Sequence, residues 1–153
     1  MARGYLFEID SDSHEIFTVC DAYFNDYIGI EFDYATKVEN PKLEITSFLE
    51  DLNRSGMETG YERVNNRVIP YFVVDDHSKK NYFQQVYSEF KKKSSDLTLD
   101  DFINGYTNWS LRMLLDDNYG DAVTSPINEF ETMDNFMRSA KGKYYIGSVF
   151  LMH

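Results

Sequence analysis

Carboxylates near the N-terminus are the first side chains in this sequence whose type and spacing suit chemistry. Asp10 and Asp12 follow an alternating apolar segment over residues 5–9, and Glu15 comes three residues later. Carboxylates at the carboxyl end of a strand suit Mg²⁺, a hard cation that prefers oxygen ligands. A metal-dependent phosphoryl-transfer enzyme that uses Asp10 and Asp12 is therefore one interpretation of this segment.

The same segment also has a purely structural interpretation. Asp and Ser are preferred in turns and at helix N-caps, where their side chains accept bonds from free backbone N–H groups. The spacing of Asp10 and Asp12 after a first strand resembles that of phosphatases of the haloacid dehalogenase type. Those enzymes also need a lysine and a later acidic pair, which cannot be placed in this sequence. The capping turn is the simpler interpretation, and the metal site is the alternative.

The other residues with catalytic potential are isolated from one another. His14, His77 and His153 have no partner at metal-ligand spacing. The single cysteine, Cys20, can form neither an intrachain disulfide nor a zinc site by itself. The sequence has no P-loop, GxGxxG or GxSxG motif. We therefore expect a non-enzymatic protein with no catalytic residue, metal or cofactor.

Acidic residues exceed basic residues and are unevenly distributed along the chain. The sequence has 26 acids and 15 bases, a formal net charge of -11. Residues 1–62 carry 14 acids and 4 bases, residues 63–93 carry 3 acids and 7 bases, and residues 96–134 carry 9 acids and one base. A surface of this sign repels phosphate groups, which argues against direct binding to nucleic acid or to anionic membranes.

Two groups of these acids are predicted to project from ordered elements. Acids three or four residues apart on a helix lie ~5–6 Å apart and can imitate spaced phosphates. Solubility alone also explains an acidic surface, and this explanation stays open. The sharper hypothesis is that the acids bind a basic, nucleic-acid-binding protein, with some of the twelve tyrosines as anchors. The predicted partner-binding residues are Asp10, Asp12, Glu15, Asp21 and Asp26 in one group, and Asp100, Asp101, Asp116, Asp117 and Asp121 in the other.

Apolar periodicity predicts the elements that would hold these groups in the first half of the chain. Alternation indicates strands and a spacing of three or four residues indicates helices. An Asn-Asn pair between two apolar runs predicts a hairpin, and a proline in its second strand predicts an edge or a bulge. The predicted elements are a strand over Gly4–Ile9, a helix over Ile16–Tyr27 ending near Gly29, a strand over Ile30–Tyr34, a helix after Asn40-Pro41 that buries Ile45, Phe48, Leu49 and Leu52, and a hairpin of residues 61–64 and 67–74 around Asn65-Asn66, with Pro70 in its second strand.

The second half of the chain is predicted to contain three helices and a final strand. These are a helix capped by Ser78 with Tyr82, Phe83, Val86, Tyr87 and Phe90 inward, a helix opened by Thr98 and Asp101 with Leu99, Phe102, Ile103, Tyr106, Met113 and Leu114 inward, a helix from Ser125-Pro126 with Ile127, Phe130, Met133 and Met137 inward, and a strand over Lys143–Leu151. This order predicts a single α+β domain over residues 1–153, with a mixed or antiparallel sheet of about four or five strands and about four or five helices.

The overall profile is similar to that of small phage- or plasmid-borne inhibitors of host defence, such as anti-CRISPR and antirestriction proteins. The resemblance lies in composition: such proteins are short, acidic and without catalytic motifs. It implies an inhibitor that occupies the basic surface of a host nuclease, for example a Cas effector, by DNA mimicry or by blocking a conformational change. The alternatives are the metal-dependent enzyme above and a self-associating structural subunit such as a homodimer. Because no run approaches ~18 apolar residues and residues 1–8 hold no signal-peptide core, we expect a cytoplasmic protein.

Overall fold

Seven strands and four helices make up the part of the chain that this computed structural model describes, residues 4–19, 29, 34–103, 122–125 and 129–153. The strands form one mixed sheet, so the prediction of a single α+β fold is confirmed, with more strands than expected. The strands are β1 (Gly4–Asp10), β2 (Ala35–Lys37), β3 (Glu58–Val64), β4 (Arg67–Val74), β5 (Ala122–Ser125), β6 (Glu129–Thr132) and β7 (Gly142–Met152). The helices are α1 (Lys42–Arg54), α2 (Asp76–Ser95), α3 (Leu99–Ile103) and α4 (Met133–Ser139).

The last strand along the chain, β7, lies at the centre of the sheet. The strand order is β3-β4-β7-β1-β5-β6, and β2 also pairs with β7. Residues 142–145 of β7 pair with β4, and residues 150–152 pair with β2. β1 pairs with residues 145–152 of β7. The pair of β1 and β5 is parallel, and the other pairs are antiparallel.

Three helices pack against one face of the sheet and form the main core. The Phe48 ring of α1 stacks on Phe7 of β1 with centroids 4.2 Å apart, and its edge meets Phe72 of β4. Burial of one large apolar side chain contributes roughly 1.5–3 kcal/mol, so this layer supplies much of the stability. The helix residues in it are Ile45, Phe48, Leu49 and Leu52 of α1, as predicted, Phe136 and Met137 of α4, and the partly buried Tyr82 and Phe83 of α2.

The predicted hairpin is present as β3 and β4. Asn65 and Asn66 both have positive φ, 49° and 67°, which is the backbone geometry of a type I′ turn. Pro70 is buried and faces Tyr61 of β3, and pairing of β4 with β7 begins one residue later, at Tyr71. β4 as a whole therefore lies between two strands and its register with β3 has no bulge, so the prediction of an edge strand or a bulge is wrong for the strand as a whole. The missing N–H of Pro70 is tolerated because this part of β4 has no β7 residue opposite it.

Several predicted boundaries are also wrong. α2 begins at Asp76 with Asp75 as its N-cap, and Ser78 occupies the third helical position instead of the cap. Pro41, not Asn40, is the N-cap of α1. Ser125 ends β5, and residues 129–132 form β6, which pairs with β5, so the helix predicted from Ser125-Pro126 is confirmed only in its second half, as α4, with Met133 and Met137 inward. Residues 16–19 are not helical, and most of the first predicted helix and of the strand over Ile30–Tyr34 lies outside the described residues, as do Tyr106, Met113, Leu114 and Ile127.

Two predicted inward faces are largely exposed. Tyr87 and Phe90 of α2 are 56% and 48% exposed, and Leu99, Phe102 and Ile103 of α3 are more exposed still. A helix of twenty residues is about 30 Å long. Its first half reaches the core through Tyr82 and Phe83, and its second half extends past these contacts. Apolar spacing alone therefore identified the helix but not how much of it is buried.

Replacing Asp75 with alanine is expected to lower the thermal midpoint of unfolding at pH 7. The Ser78 N–H donates to the Asp75 carboxylate at 2.7 Å, and the Asp75 N–H donates to Ser78 Oγ at 3.0 Å. The bonds from Ser78 hold the pKa of the Asp75 carboxyl below its usual value of 3.8. The contribution of the ionised Asp75 carboxylate to the free energy of unfolding is therefore fully present above pH 3.8, and it is lost as the pH falls through the lowered pKa.

Thermal unfolding at pH 7 and at about pH 2 tests this pH dependence. The difference between wild type and Asp75→Ala should be clear at pH 7 and should become smaller in acid, as the Asp75 carboxylate is protonated. Asp76→Ala is the matched control, because Asp76 lies in the same helical turn and is not the N-cap. An equal loss in the two variants, or a loss for Asp75→Ala that is as large in acid as at pH 7, would contradict the prediction.

Candidate protein-binding face

The sheet face opposite the helices carries acidic and tyrosine side chains in neighbouring strands. Ile9, Phe72 and Ile146 belong to the core on the helix side. Because side chains alternate along a strand, their neighbours Asp10, Tyr71 and Tyr145 point to the other face. We call this surface the acidic–tyrosine face and define it as Glu58, Glu62, Tyr71, Lys143 and Tyr145, with Asp10 buried at its β1 edge.

Strand register aligns these residues across four strands. Asp10 of β1 lies opposite Tyr145 of β7, Tyr145 lies opposite Tyr71 of β4, and Tyr71 lies opposite Gly60 of β3. Glu58 and Glu62 flank Gly60 at a spacing of two residues, so they point to the same face. The face is therefore part of the folded sheet, with its side chains set by strand pairing.

Glu62 is the centre of a hydrogen-bonded group on this face. Its carboxylate accepts a bond from Lys143 Nζ at 3.0 Å and one from the Tyr145 hydroxyl at 2.5 Å. These two bonds hold the pKa of Glu62 below its usual value, with the larger effect from Tyr145. The bond to Glu62 also raises the pKa of Lys143 and that of Tyr145. Glu62 is therefore an anion and Lys143 a cation throughout the neutral range.

The Lys143 ammonium also lies against two aromatic rings. Nζ is 4.1 Å from the ring centroid of Tyr71 and 5.2 Å from that of Tyr145, within the range of cation–π attraction. Gly60 makes room for the Tyr71 ring, since a Cβ atom at that position would lie 2.9 Å from the Tyr71 hydroxyl. The Tyr71 hydroxyl donates to Glu58 at 3.3 Å. Two rings and one carboxylate thus surround a single ammonium group.

The buried carboxylate of Glu8 holds the loop of residues 16–19, which borders this face. Glu8 of β1 is fully buried and accepts four backbone N–H bonds of 2.9–3.0 Å, from Phe17, Thr18, Val19 and Ser148. The register of β1 and β7 shifts between Phe7 and Ile9, so two residues of β7 lie opposite Glu8. This β-bulge leaves the Ser148 N–H free to bind the carboxylate. These bonds explain why residues 16–19 form a loop and not the predicted helix.

Gly147 leaves the space that the Glu8 carboxylate and the loop of residues 16–19 occupy. A Cβ atom at position 147 would lie 2.6 Å from Glu8 Oε1 and 3.0 Å from the Phe17 nitrogen. Phe17 has a φ of 65°, in the left-handed region, and its N–H donates to the Glu8 carboxylate. The guanidinium carbon of Arg67 lies 4.3 Å from the centroid of the Phe17 ring. The loop is thereby attached to β1, β7 and the hairpin.

The described acids of the first predicted group lie in the turn of residues 10–15, between β1 and the loop of residues 16–19. The Asp12 N–H donates to Asp10 Oδ1 at 2.9 Å, and the His14 N–H donates to Asp12 Oδ1 at 2.9 Å. These are Asx turns, in which a carboxylate satisfies backbone donors two residues on. Asp10 is buried, whereas Asp12 and Glu15 are exposed beside the face. Asp21 and Asp26 lie outside the described residues.

The geometry of this turn bears on the metal-site interpretation. One oxygen each of Asp10 and Asp12 already accepts a backbone bond, as in the turn that the structural interpretation expects, although no helix follows it in residues 13–19. Among the described residues, no three His, Cys, Asp or Glu side chains are grouped so that they could hold a metal ion. The observed contacts are those of a structural turn.

The second predicted acidic group is only partly described. Asp100 and Asp101 lie in the first turn of α3, and Asp116, Asp117 and Asp121 lie outside the described residues. The predicted capping box is present, because the Thr98 N–H donates to Asp101 Oδ2 at 2.9 Å and the Asp101 N–H donates to Thr98 Oγ1 at 3.1 Å. Asp101 therefore has a capping role, and Asp100 is exposed.

The sequence reasoning missed Glu8, Glu58, Glu62, Tyr71, Lys143 and Tyr145. A signal for some of them was present, because Glu58, Gly60 and Glu62 alternate in β3, as Lys143 and Tyr145 do in β7. A charged residue inside the apolar run of β1 also marked Glu8 as unusual. Nothing local indicated that these strands would be brought together.

Comparison of the chain with family models, with curated proteins and with solved structures finds no significant match. In the part of the chain that the structure describes, no helix is long and apolar enough to cross a membrane. Functional inference therefore depends on the geometry of the acidic–tyrosine face.

Proposed function

We propose that this chain is a non-enzymatic binding protein whose acidic–tyrosine face docks on the cationic surface of a nucleic-acid-binding protein and blocks that surface. The observation that supports the proposal is the ordered alignment of carboxylates and tyrosines across β1, β7, β4 and β3. Carboxylates recognise a cationic surface, and tyrosines supply rigid contact area. Asp12 and Glu15 extend the negative charge beyond the edge of the face.

Preorganisation is the physical reason for choosing this face. Glu62 and Tyr145 hold each other in place, and Tyr71 is held across Gly60. Side chains that are already ordered lose less conformational entropy when a partner binds. By composition, the most specific partner class is a host nuclease such as a Cas effector or a restriction enzyme, as in the inhibitors that the sequence resembles.

Reversing one charge of this face and one charge beside it is expected to reduce partner capture by about tenfold. The variant is Glu15→Lys with Glu58→Lys, because both side chains are exposed and neither is the central carboxylate. Immobilised protein is incubated with a bacterial lysate at low salt, and bound basic proteins are eluted with salt or with double-stranded DNA. Elution by DNA is expected because the partner surface also binds nucleic acid.

The control variant is Glu50→Lys with Glu89→Lys, which changes the net charge equally. Both residues are exposed on helices of the opposite layer, α1 and α2. Equal loss in the two variants would indicate a general charge effect and would contradict docking at this face. A concentration-dependent oligomer without any foreign partner would favour the self-associating subunit instead.

A further inference from the structure

The group formed by Tyr71, Tyr145 and Glu62 is arranged as a binding site for a cation. Two aromatic rings and a carboxylate converge on one ammonium nitrogen, Lys143 Nζ, at 4.1, 5.2 and 3.0 Å. Aromatic rings and carboxylates of this arrangement are used by proteins to recognise alkylammonium groups. We call these three residues the cation cage.

We propose that the cation cage binds a lysine side chain of a partner protein, and that Lys143 occupies the cage in the free protein and competes with that side chain. This inference rests on the proposed function and names the chemical group that the face recognises. Binding is an exchange of one ammonium group for another, so no bond is made or broken and no proton is transferred.

Exposure of the cage permits such an exchange. The side chains of Lys143 and Glu62 are 35% and 39% exposed, so a partner group can reach the carboxylate without unfolding the sheet. Lys143 extends from β7 on a flexible stem of four carbons, and it can leave the cage by rotation of its own side chain. An exposed ion pair such as Lys143 with Glu62 contributes little net free energy, so an ammonium group of a partner can displace Lys143 at small cost.

The cage also has walls that are independent of Lys143. Tyr145 is held by its bond to Glu62, and Tyr71 by its place over Gly60 and its bond to Glu58. Removal of the Lys143 ammonium therefore leaves the two rings in place and leaves the Glu62 carboxylate with the Tyr145 hydroxyl as its remaining donor in this group. The bond from Tyr145 keeps Glu62 in an orientation suited to another cation.

Lys143→Thr empties the cage while keeping a residue that favours β-strands. The probe is n-butylammonium chloride, which has the chemical group of a lysine side chain. It is titrated at constant ionic strength while the ring resonances of the tyrosines are followed by NMR. Saturable shifts of Tyr71 and Tyr145 are expected, at about a tenfold lower concentration than in the control.

The control is Lys141→Thr, which removes the same charge two residues away. Lys141 is exposed, and its bond to Tyr144 uses the backbone N–H and not the side chain. Lys143→Thr with Glu62→Gln should lose the response, since the carboxylate is then neutral. If Lys143→Thr does not fold, Lys143→Ala serves for the same titration.

Equal responses in the Lys143 and Lys141 variants would overturn the cage, as would shifts that do not saturate. This outcome is distinct from failure of the proposed function, because the titration uses no partner protein. Loss of partner capture in the Glu15 and Glu58 variant with no response to butylammonium would retain the face and reject the cage. A response to butylammonium with unchanged partner capture would retain the cage and reject the proposed function.

Discussion

Replacing Glu8 with alanine is expected to lower the free energy of unfolding by at least about 4 kcal/mol. The substitution removes the acceptor for the backbone N–H groups of Phe17, Thr18, Val19 and Ser148. A hydrogen bond to a charged group contributes about 1.5–3 kcal/mol, and a donor left buried without a partner costs a similar amount. The Val19 and Ser148 donors are in buried surroundings, where water cannot readily replace the carboxylate.

Chemical denaturation followed by circular dichroism measures this loss. Glu8→Gln should have an intermediate effect, because it keeps the shape but presents an amide N–H₂ group to backbone donors. Glu50→Ala on the exposed side of α1 is the matched control and should change stability by no more than about 0.5 kcal/mol. If Glu8→Ala is as stable as this control, Glu8 does not hold the loop in the way described.

Gly147→Ala is expected to cost about 3 kcal/mol, through crowding of the same carboxylate. The added Cβ would lie 2.6 Å from Glu8 Oε1, with the Phe17 nitrogen and Ile16 Cβ at 3.0 and 3.1 Å. All three neighbours are fixed, the carboxylate by its four N–H donors and the other two by the loop it holds. Relief therefore requires lengthening the Glu8 bonds or moving the loop.

Gly60→Ala is the comparison that isolates this effect. Its Cβ would also be crowded, at 2.9 Å, but by the Tyr71 side chain, whose displacement costs one exposed hydrogen bond to Glu58 and requires no backbone movement. Unfolding of the two variants in denaturant should show the larger loss for Gly147→Ala. A smaller loss for Gly147→Ala than for Gly60→Ala would mean that the Glu8 site is more adaptable than its geometry indicates.

The elements that the sequence predicted well are those specified by neighbouring residues. The Asn65-Asn66 turn, the Thr98 and Asp101 capping box and the buried face of α1 can each be recognised from residues close together in the sequence. The first half of the helix predicted from Ser125-Pro126 is replaced by β6, which pairs with β5, and β5 itself pairs with β1, more than a hundred residues earlier. Local preference could not predict a strand that is specified by distant pairing.

The candidate site was predicted only in part for the same reason. Asp10, Asp12 and Glu15 were identified by their charge, but the residues that join them to a binding face were not. Glu62 and Lys143 are 81 positions apart, and Glu8 and Ser148 are 140 positions apart. Carboxylates were expected on helices, whereas the organised ones lie on strands whose neighbours depend on the sheet order.

The central position of β7 has a consequence for synthesis of the chain on the ribosome. β1 and β4 are made early, but the strand that joins them is translated after all the others. Until β7 emerges, β1 and β4 have backbone N–H and C=O groups without partners on the side that β7 will occupy. The main core also lacks the β7 side chains Ile146 and Val149 until then. We expect a sheet completed by so distant a segment to form slowly, and the net acidic charge of the chain to oppose its aggregation during this interval.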